Sequence, residues 1–233
     1  MCDLILVGSY VSDDEIIRKT LRSVKNHKFN QKYILFDGPR DSEKKTYYDN
    51  YRKYKQDIIQ SNEYKDFKII EFPDNIYYRP MIDLFINNNY NDLSDNLLII
   101  QDDVELAEFD LELLLERKSK VEDCKLLYFG ENRKRAPHWF NVIDETDDHF
   151  VKIHGWSERA YVVNKKDFKD ILDRIDKIKT GQYCKRFIDT YYHNFKKSKK
   201  WKDLSREDHL EYWKLWGCYE YKGVFHKHLC GKR

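Results

Sequence analysis

Short apolar runs alternate along this chain with longer stretches of helical spacing. Leu4 to Val7 is a continuous hydrophobic run, and so is Leu97 to Ile100. Runs of this length bounded by polar residues predict strands buried on both faces. Tyr33 to Phe36 predicts another, with Asp37-Gly38-Pro39-Arg40 as the turn at its end. Phe67 to Phe72 predicts a further strand, stopped by Pro73. Between the first two runs, Ile16, Ile17, Leu21 and Val24 recur at helical spacing up to about Asn26. Ser12 and Glu15 read as a capping box at the start of that helix, with Ser12 as N-cap. The charged, Tyr-rich region from about Ser42 to Tyr64 has helical residues and neither Pro nor Gly, and Met81 to Asn88 reads as a short helix. Strands alternating with helices predict a mostly parallel sheet with right-handed crossovers.

The second half is less regular. Phe109 to Lys120 reads as a helix and Lys125 to Phe129 as a strand ending at Gly130. Arg133 to His138 is a basic loop. Phe150 to His154 and Arg159 to Val163 read as strands around Gly155-Trp156. Asp167 to Ile178 is an amphipathic helix, Phe187 to Phe195 another, and Lys196 to Lys202 a basic, solvated surface run. The tail from Gly223 to Arg233 contains His226 and His228 as a His-x-His pair. No internal repeat and no linker interrupts this order. The expected fold is therefore α/β, one domain over residues 1–233, divided into halves 1–105 and 106–233.

Composition narrows the function. The 233 residues are 36% charged with a net charge of only +2, so nothing global points to nucleic acid. Aromatics reach 15%, a composition that suits pockets for sugars and bases as well as ordinary cores. Cys2, Cys124, Cys184, Cys218 and Cys230 form no Cys-x-x-Cys pair, which argues against zinc. Their odd number and wide spacing favour a reduced, cytoplasmic setting. The first residues lack a basic segment ahead of their short apolar run, so no signal peptide is expected, and no apolar run is long enough to predict a transmembrane helix.

The candidate chemistry gathers after the strand at Leu97. Gln101, Asp102, Asp103 and Glu105 follow it directly. Ligands of open α/β sheets bind at the carboxyl ends of the strands. Mg²⁺ and Mn²⁺ take oxygen ligands, and Mg²⁺ commonly sits on one or two carboxylates plus substrate phosphates. The stretch reads either as a cation site or as an acidic turn on a solvated edge. Asp37 falls on the same edge.

In that order, several segments resemble the nucleotide-sugar-dependent glycosyltransferases of GT-A fold, including those carried by large DNA viruses. They are Leu6-Val-Gly-Ser-Tyr-Val11 with Leu21-Arg-Ser-Val24, Ile34-Leu-Phe-Asp-Gly38, and Leu98-Ile-Ile-Gln-Asp-Asp-Val104. Gly155 to Val163 and Phe187-Ile-Asp-Thr190 resemble later segments of some such enzymes. The resemblance implies a UDP-sugar donor, a glycan or glycoprotein acceptor, and Mn²⁺ or Mg²⁺. Asp103 would hold the metal whether the motif is Gln101-Asp102-Asp103 or Asp103-Val104-Glu105. Asp102 would lie near the ribose or share the metal through water. Asp37 would accept from the uracil or ribose, or else cap a turn. Gly8, Ser9, Tyr10 and Val11 would line the base pocket, and Arg79 would meet the nucleotide or its phosphates. His226 or His228 would complete the metal site from the tail. Asp189 would be the general base of an inverting transfer, with Glu158 in reserve. Gln101 departs from the family's frequent first acid and lowers the local charge. Being at a strand end, Asp103 is expected outside the core. Two rival functions remain open: a sugar-nucleotide pyrophosphorylase, against which the lone Gly8 in its loop argues, and a non-catalytic sugar-binding module with a decayed site.

Overall fold

The structure, a computed structural model, describes residues 1–9, 13–38, 45–76, 78–131, 142–145, 148–153, 159–168 and 218–229, some of them by backbone alone. The first strands are β1 (Cys2–Val7), β2 (Lys32–Phe36), β3 (Lys68–Glu71) and β4 (Asn96–Gln101), close to the predicted runs. Helices α1 (Asp14–Val24), α2 (Lys45–Gln60) and α3 (Tyr78–Asn89) connect them. These strands lie in the order β3-β2-β1-β4, and every pairing among them is parallel.

Alternate residues of each strand face opposite ways. Leu4, Leu6, Ile34, Phe36, Leu98 and Ile100 belong to one core with Ile17 and Val24 of α1 and Tyr51, Tyr54 and Ile58 of α2. Ile5, Val7, Tyr33, Leu35, Leu97 and Ile99 belong to a second core with Met81, Ile82, Phe85 and Ile86 of α3. Thus α1 and α2 cover one face and α3 the other. The chain steps outward from β1 to β3, then returns past β1 to lay down β4. The direction of progress therefore reverses between β1 and β4, which is the switch point where open α/β sheets form a crevice.

One boundary differs from expectation. Asp13, not Ser12, caps α1: its carboxylate accepts from the Ile16 amide at 2.9 Å. A carboxylate here also brings a negative charge to the positive end of the helix dipole, which a hydroxyl lacks.

The remaining elements are β5 (Val104–Leu106), α4 (Leu111–Ser119), β6 (Leu126–Glu131), β7 (Val142–Glu145), β8 (Phe150–Ile153), β9 (Ala160–Asn164) and β10 (Cys218–His228). They extend the same sheet as β4-β9-β6-β10-β8-β7, with β5 pairing β10. Here antiparallel pairs dominate, so the sheet as a whole is mixed. The sequence pattern had not indicated β5, β7 or β10. In β10 the register shifts between Glu220 and Phe225, which breaks the alternation that marks a strand. Residues 165–168 open a helix. The rest of the helix expected over Asp167–Ile178, the helix over Phe187–Phe195, the basic stretches and Gly155-Trp156 lie outside the described residues. Among the described residues no helix is long and apolar enough to cross a membrane.

Candidate functional site

The Asp102-Asp103 turn sits at the switch point, and the fold grips it from several sides. The Asp102 amide donates to the Val7 carbonyl at 3.1 Å, carrying the β1–β4 contact one residue past the ladder. Thr20 of α1 donates its hydroxyl to the Asp102 carbonyl at 2.6 Å. The Asp102 carboxylate accepts from the Ser9 amide at 2.9 Å through Oδ1 and from the Tyr54 hydroxyl of α2 through Oδ2. The Leu229 amide donates to the Asp103 carbonyl at 2.8 Å.

Asp102 is 0% exposed and Asp103 1%. This corrects the expectation that Asp103 lies outside the core. After the turn β5 pairs with β10, so Leu229 is brought alongside Asp103. A carboxylate buried this deeply needs hydrogen-bond donors to offset its lost hydration. For Asp102 such donors include Ser9 and Tyr54.

Gly8 and Ser9 begin the loop above β1. The Gly8 amide donates to the Leu35 carbonyl at 2.8 Å. A Cβ at Gly8 would stand 2.5 Å from the Phe36 ring, so only glycine lets the loop lie this close to β2.

Asp37, 5% exposed, ends β2 on the same edge. Its carboxylate accepts from the amides of Gly38 (3.0 Å) and Ile76 (2.9 Å) and from the Asn75 side-chain amide (2.8 Å). Of the readings left open for Asp37, the turn-capping one is thus present in the structure: it fastens the loop between β3 and α3. Tyr51 of α2 reaches the same strand end, its hydroxyl donating to the Asp37 carbonyl at 3.3 Å.

The His-x-His pair arrives by register. His228 lies opposite Val104 and His226 opposite Leu106. Between them Lys227 lies opposite Glu105 and forms an ion pair with it at 3.8 Å. Both histidines are described by backbone alone, as is Arg79 in the first turn of α3. Tyr10, Val11, Glu158 and Asp189 lie outside the described residues.

Sequence reasoning missed Thr20, Tyr51 and Tyr54. The signal was there for α2, where Tyr51, Tyr54 and Ile58 fall at helical spacing on one face. Burial pushes the thiols of Cys2 and Cys124 up to about 12, which leaves neither as a ready thiolate.

A separate cleft of about 630 Å³ opens between the end of α1 and the β5–α4 segment, lined among others by Arg22, His27, Lys28, Glu108 and Phe109. Burial holds the His27 imidazole below its usual pKa, with Asp110 working against that shift. Of the edge residues described above, only Glu105 lines this cleft.

No protein-family model and no curated protein matches the chain. Solved structures do. GalNAc-T7, solved with UDP, GalNAc and Mn²⁺, aligns over 98% of this chain and 44% of its own, with a TM-score of 0.59 at 10% identity. The mannose-1-phosphate geranyltransferase of Thermus thermophilus aligns over 90% of this chain and 66% of its own, with a TM-score of 0.51 at 9% identity. The chain thus spans less than half the length of GalNAc-T7. At such identities the likeness establishes the fold, an α/β architecture of GT-A type.

Proposed function

We propose that this chain is a metal-dependent glycosyltransferase, moving a sugar from a nucleotide-sugar donor, UDP-linked by preference, to a glycan or glycoprotein acceptor. The observation that carries the reading is the convergence at the switch point. The loop above β1, the Asp102-Asp103 turn and Asp37 share the carboxyl edge of the parallel strands. The fold is similar to that of the matching part of GalNAc-T7, which was solved with UDP, GalNAc and Mn²⁺.

Among the described residues no three His, Cys, Asp or Glu side chains converge as a cation cage. A cation that uses few protein ligands fits this edge. Asp103 would hold Mn²⁺ or Mg²⁺ together with donor phosphate oxygens and water, with His226 or His228 as tail ligands. Bound there, the cation would neutralise charge on the departing nucleoside diphosphate.

The chain's own groups do the rest. Gly8 and Ser9, with Tyr10 and Val11, wall the base and ribose side. Asp102 fixes the Ser9 backbone. Asp37 holds the loop that leads into α3 and Arg79. Asp189, with Glu158 in reserve, takes the acceptor hydroxyl's proton. The acceptor oxygen then bonds to the anomeric carbon, and the bond to the diphosphate breaks with its electron pair leaving on phosphate oxygen.

The test is thermal unfolding with UDP and other nucleotides, with and without Mn²⁺ or Mg²⁺, beside product analysis of a nucleotide-sugar screen. A ligand at about a hundred times its Kd stabilises by about 2.7 kcal/mol, or roughly 5–10 °C for a chain of this size. Release of UDP supports transfer, and release of a sugar phosphate with pyrophosphate consumed marks a pyrophosphorylase. Stabilisation without turnover marks a binding module. No response to any nucleotide with either metal would end the proposal.

A further inference from the structure

We infer that Tyr54 is a positioning residue: through Asp102 it sets the backbone of Ser9 and so the shape of the nucleotide pocket. The inference rests on the donor-site reading above. Tyr54 lies on α2, remote in sequence from both groups it organises. Its hydroxyl donates to Asp102 Oδ2, and the other oxygen of the same carboxylate accepts from the Ser9 amide at 2.9 Å. Tyr54 is buried, and its ring packs edge-on against Phe36 with centroids 5.7 Å apart. Phe36 is the ring that a side chain at Gly8 would strike. The unit therefore closes on itself: Tyr54 touches Phe36, Phe36 underlies Gly8, and Ser9 returns through Asp102 to Tyr54.

A donor on each oxygen of one buried carboxylate fixes its rotation. A phenol donating to a carboxylate is a charge-assisted bond, stronger than a neutral one. Without that donor, Asp102 Oδ2 stays buried with a lost partner, and the carboxylate turns to recover one. The Ser9 amide then loses its acceptor. Asp102 on this account acts on the donor through the loop, and Asp103 is the carboxylate that meets the metal.

Tyr54→Phe keeps the ring and its packing and removes only the hydroxyl. The experiment pairs residue-resolved amide exchange with calorimetric titration of UDP in Mn²⁺, on unaltered protein, Tyr54→Phe, Asp102→Asn and the double variant. Ser9 exchange is expected to rise about tenfold in Tyr54→Phe while β1, β2 and β4 stay protected, and UDP affinity to fall by about the same factor. The double variant should be no worse than Asp102→Asn alone, because Tyr54 acts through that carboxylate. Unchanged Ser9 exchange with unchanged affinity would overturn the inference. So would exchange rising evenly through the strands, which marks a packing residue only, or fully additive losses in the double variant. If unaltered protein binds no UDP, the donor reading falls by itself, and the exchange arm alone decides whether Tyr54 clamps Ser9.

Discussion

On the proposed function, Asp103 is the residue that would hold the metal. Asp103→Asn keeps its shape and removes one charge. The expected signature is a UDP affinity that no longer depends on Mn²⁺, with transfer reduced about a hundredfold to a thousandfold, a loss of roughly 3–4 kcal/mol. Calorimetry with and without Mn²⁺ checks it, with circular dichroism to confirm the fold, since this residue is buried. Metal-dependent binding that survives the change would remove Asp103 from the metal site. Away from the edge, Asp14 shows how a single carboxyl links pH to stability. Burial raises its pKa, but hydrogen bonds from Arg18 and Tyr64 and the Arg18 charge outweigh that, so the net shift is downward. A folded pKa below the unfolded value means stabilisation that is complete above about pH 4 and lost as pH falls through the folded value. Asp14→Asn should therefore flatten the acid limb of a plot of denaturation midpoint against pH and leave the neutral region's slope unchanged. An acid limb as steep as before would show that other carboxylates govern it.

At the scale of elements, the ends of strands matter more than their middles. α2 braces two strand ends at once, Tyr51 at β2 and Tyr54 at β4. On the opposite edge of the sheet, Lys165 serves the segment between α3 and β4. Its ammonium donates to the carbonyls of Tyr90 at 2.8 Å and Leu93 at 2.5 Å, and lies 4.9 Å from the centre of the Tyr90 ring. Lys165→Met retains most of the apolar stem and leaves those carbonyls without the ammonium. Hydrogen bonds to a charged group are worth about 1.5–3 kcal/mol, so a loss of about 2 kcal/mol in denaturant unfolding is expected. A change below about 0.5 kcal/mol would show that water replaces the ammonium.

The molecule as a whole depends on its last described strand. β10 lies between β6 and β8 and also pairs β5. Ending the chain before Cys218 would expose ladder edges on β6 and β8 and remove the strand that sets His226 and His228 opposite β5. Unpaired edges of this kind invite association. The truncated chain is expected to lose its cooperative thermal transition and to elute as aggregate from size exclusion. A soluble monomer with a sharp transition would mean that β1–β4 and their helices fold without this strand.

The parallel half of the fold was legible because its signal is local. Leu4–Val7, Tyr33–Phe36 and Leu97–Ile100 are apolar runs that any register would bury, and helical spacing between them sets the alternation. Strand polarity then put Asp37 and Asp102-Asp103 on one edge, as the sequence alone required. The partners of those carboxylates were not legible. Ser9 lies 93 residues from Asp102 and Tyr54 lies 48 away, and no pattern within a segment encodes which donor a buried oxygen will meet. Asp3 makes the same point at the other edge, where its buried carboxylate accepts from the amides of Gln31 at 3.0 Å and Ser94 at 2.7 Å. β10 was hidden for a related reason. Its bulge breaks the local alternation, and its strand state comes from ladders to β5, β6 and β8. The sequence by itself determined which segments of the parallel half form the core strands and helices and in what order they run, because burial is a property of side chains in a row. Only the tertiary structure decided which polar groups hold one another, because a hydrogen bond needs two atoms within about 3 Å whatever their distance along the chain.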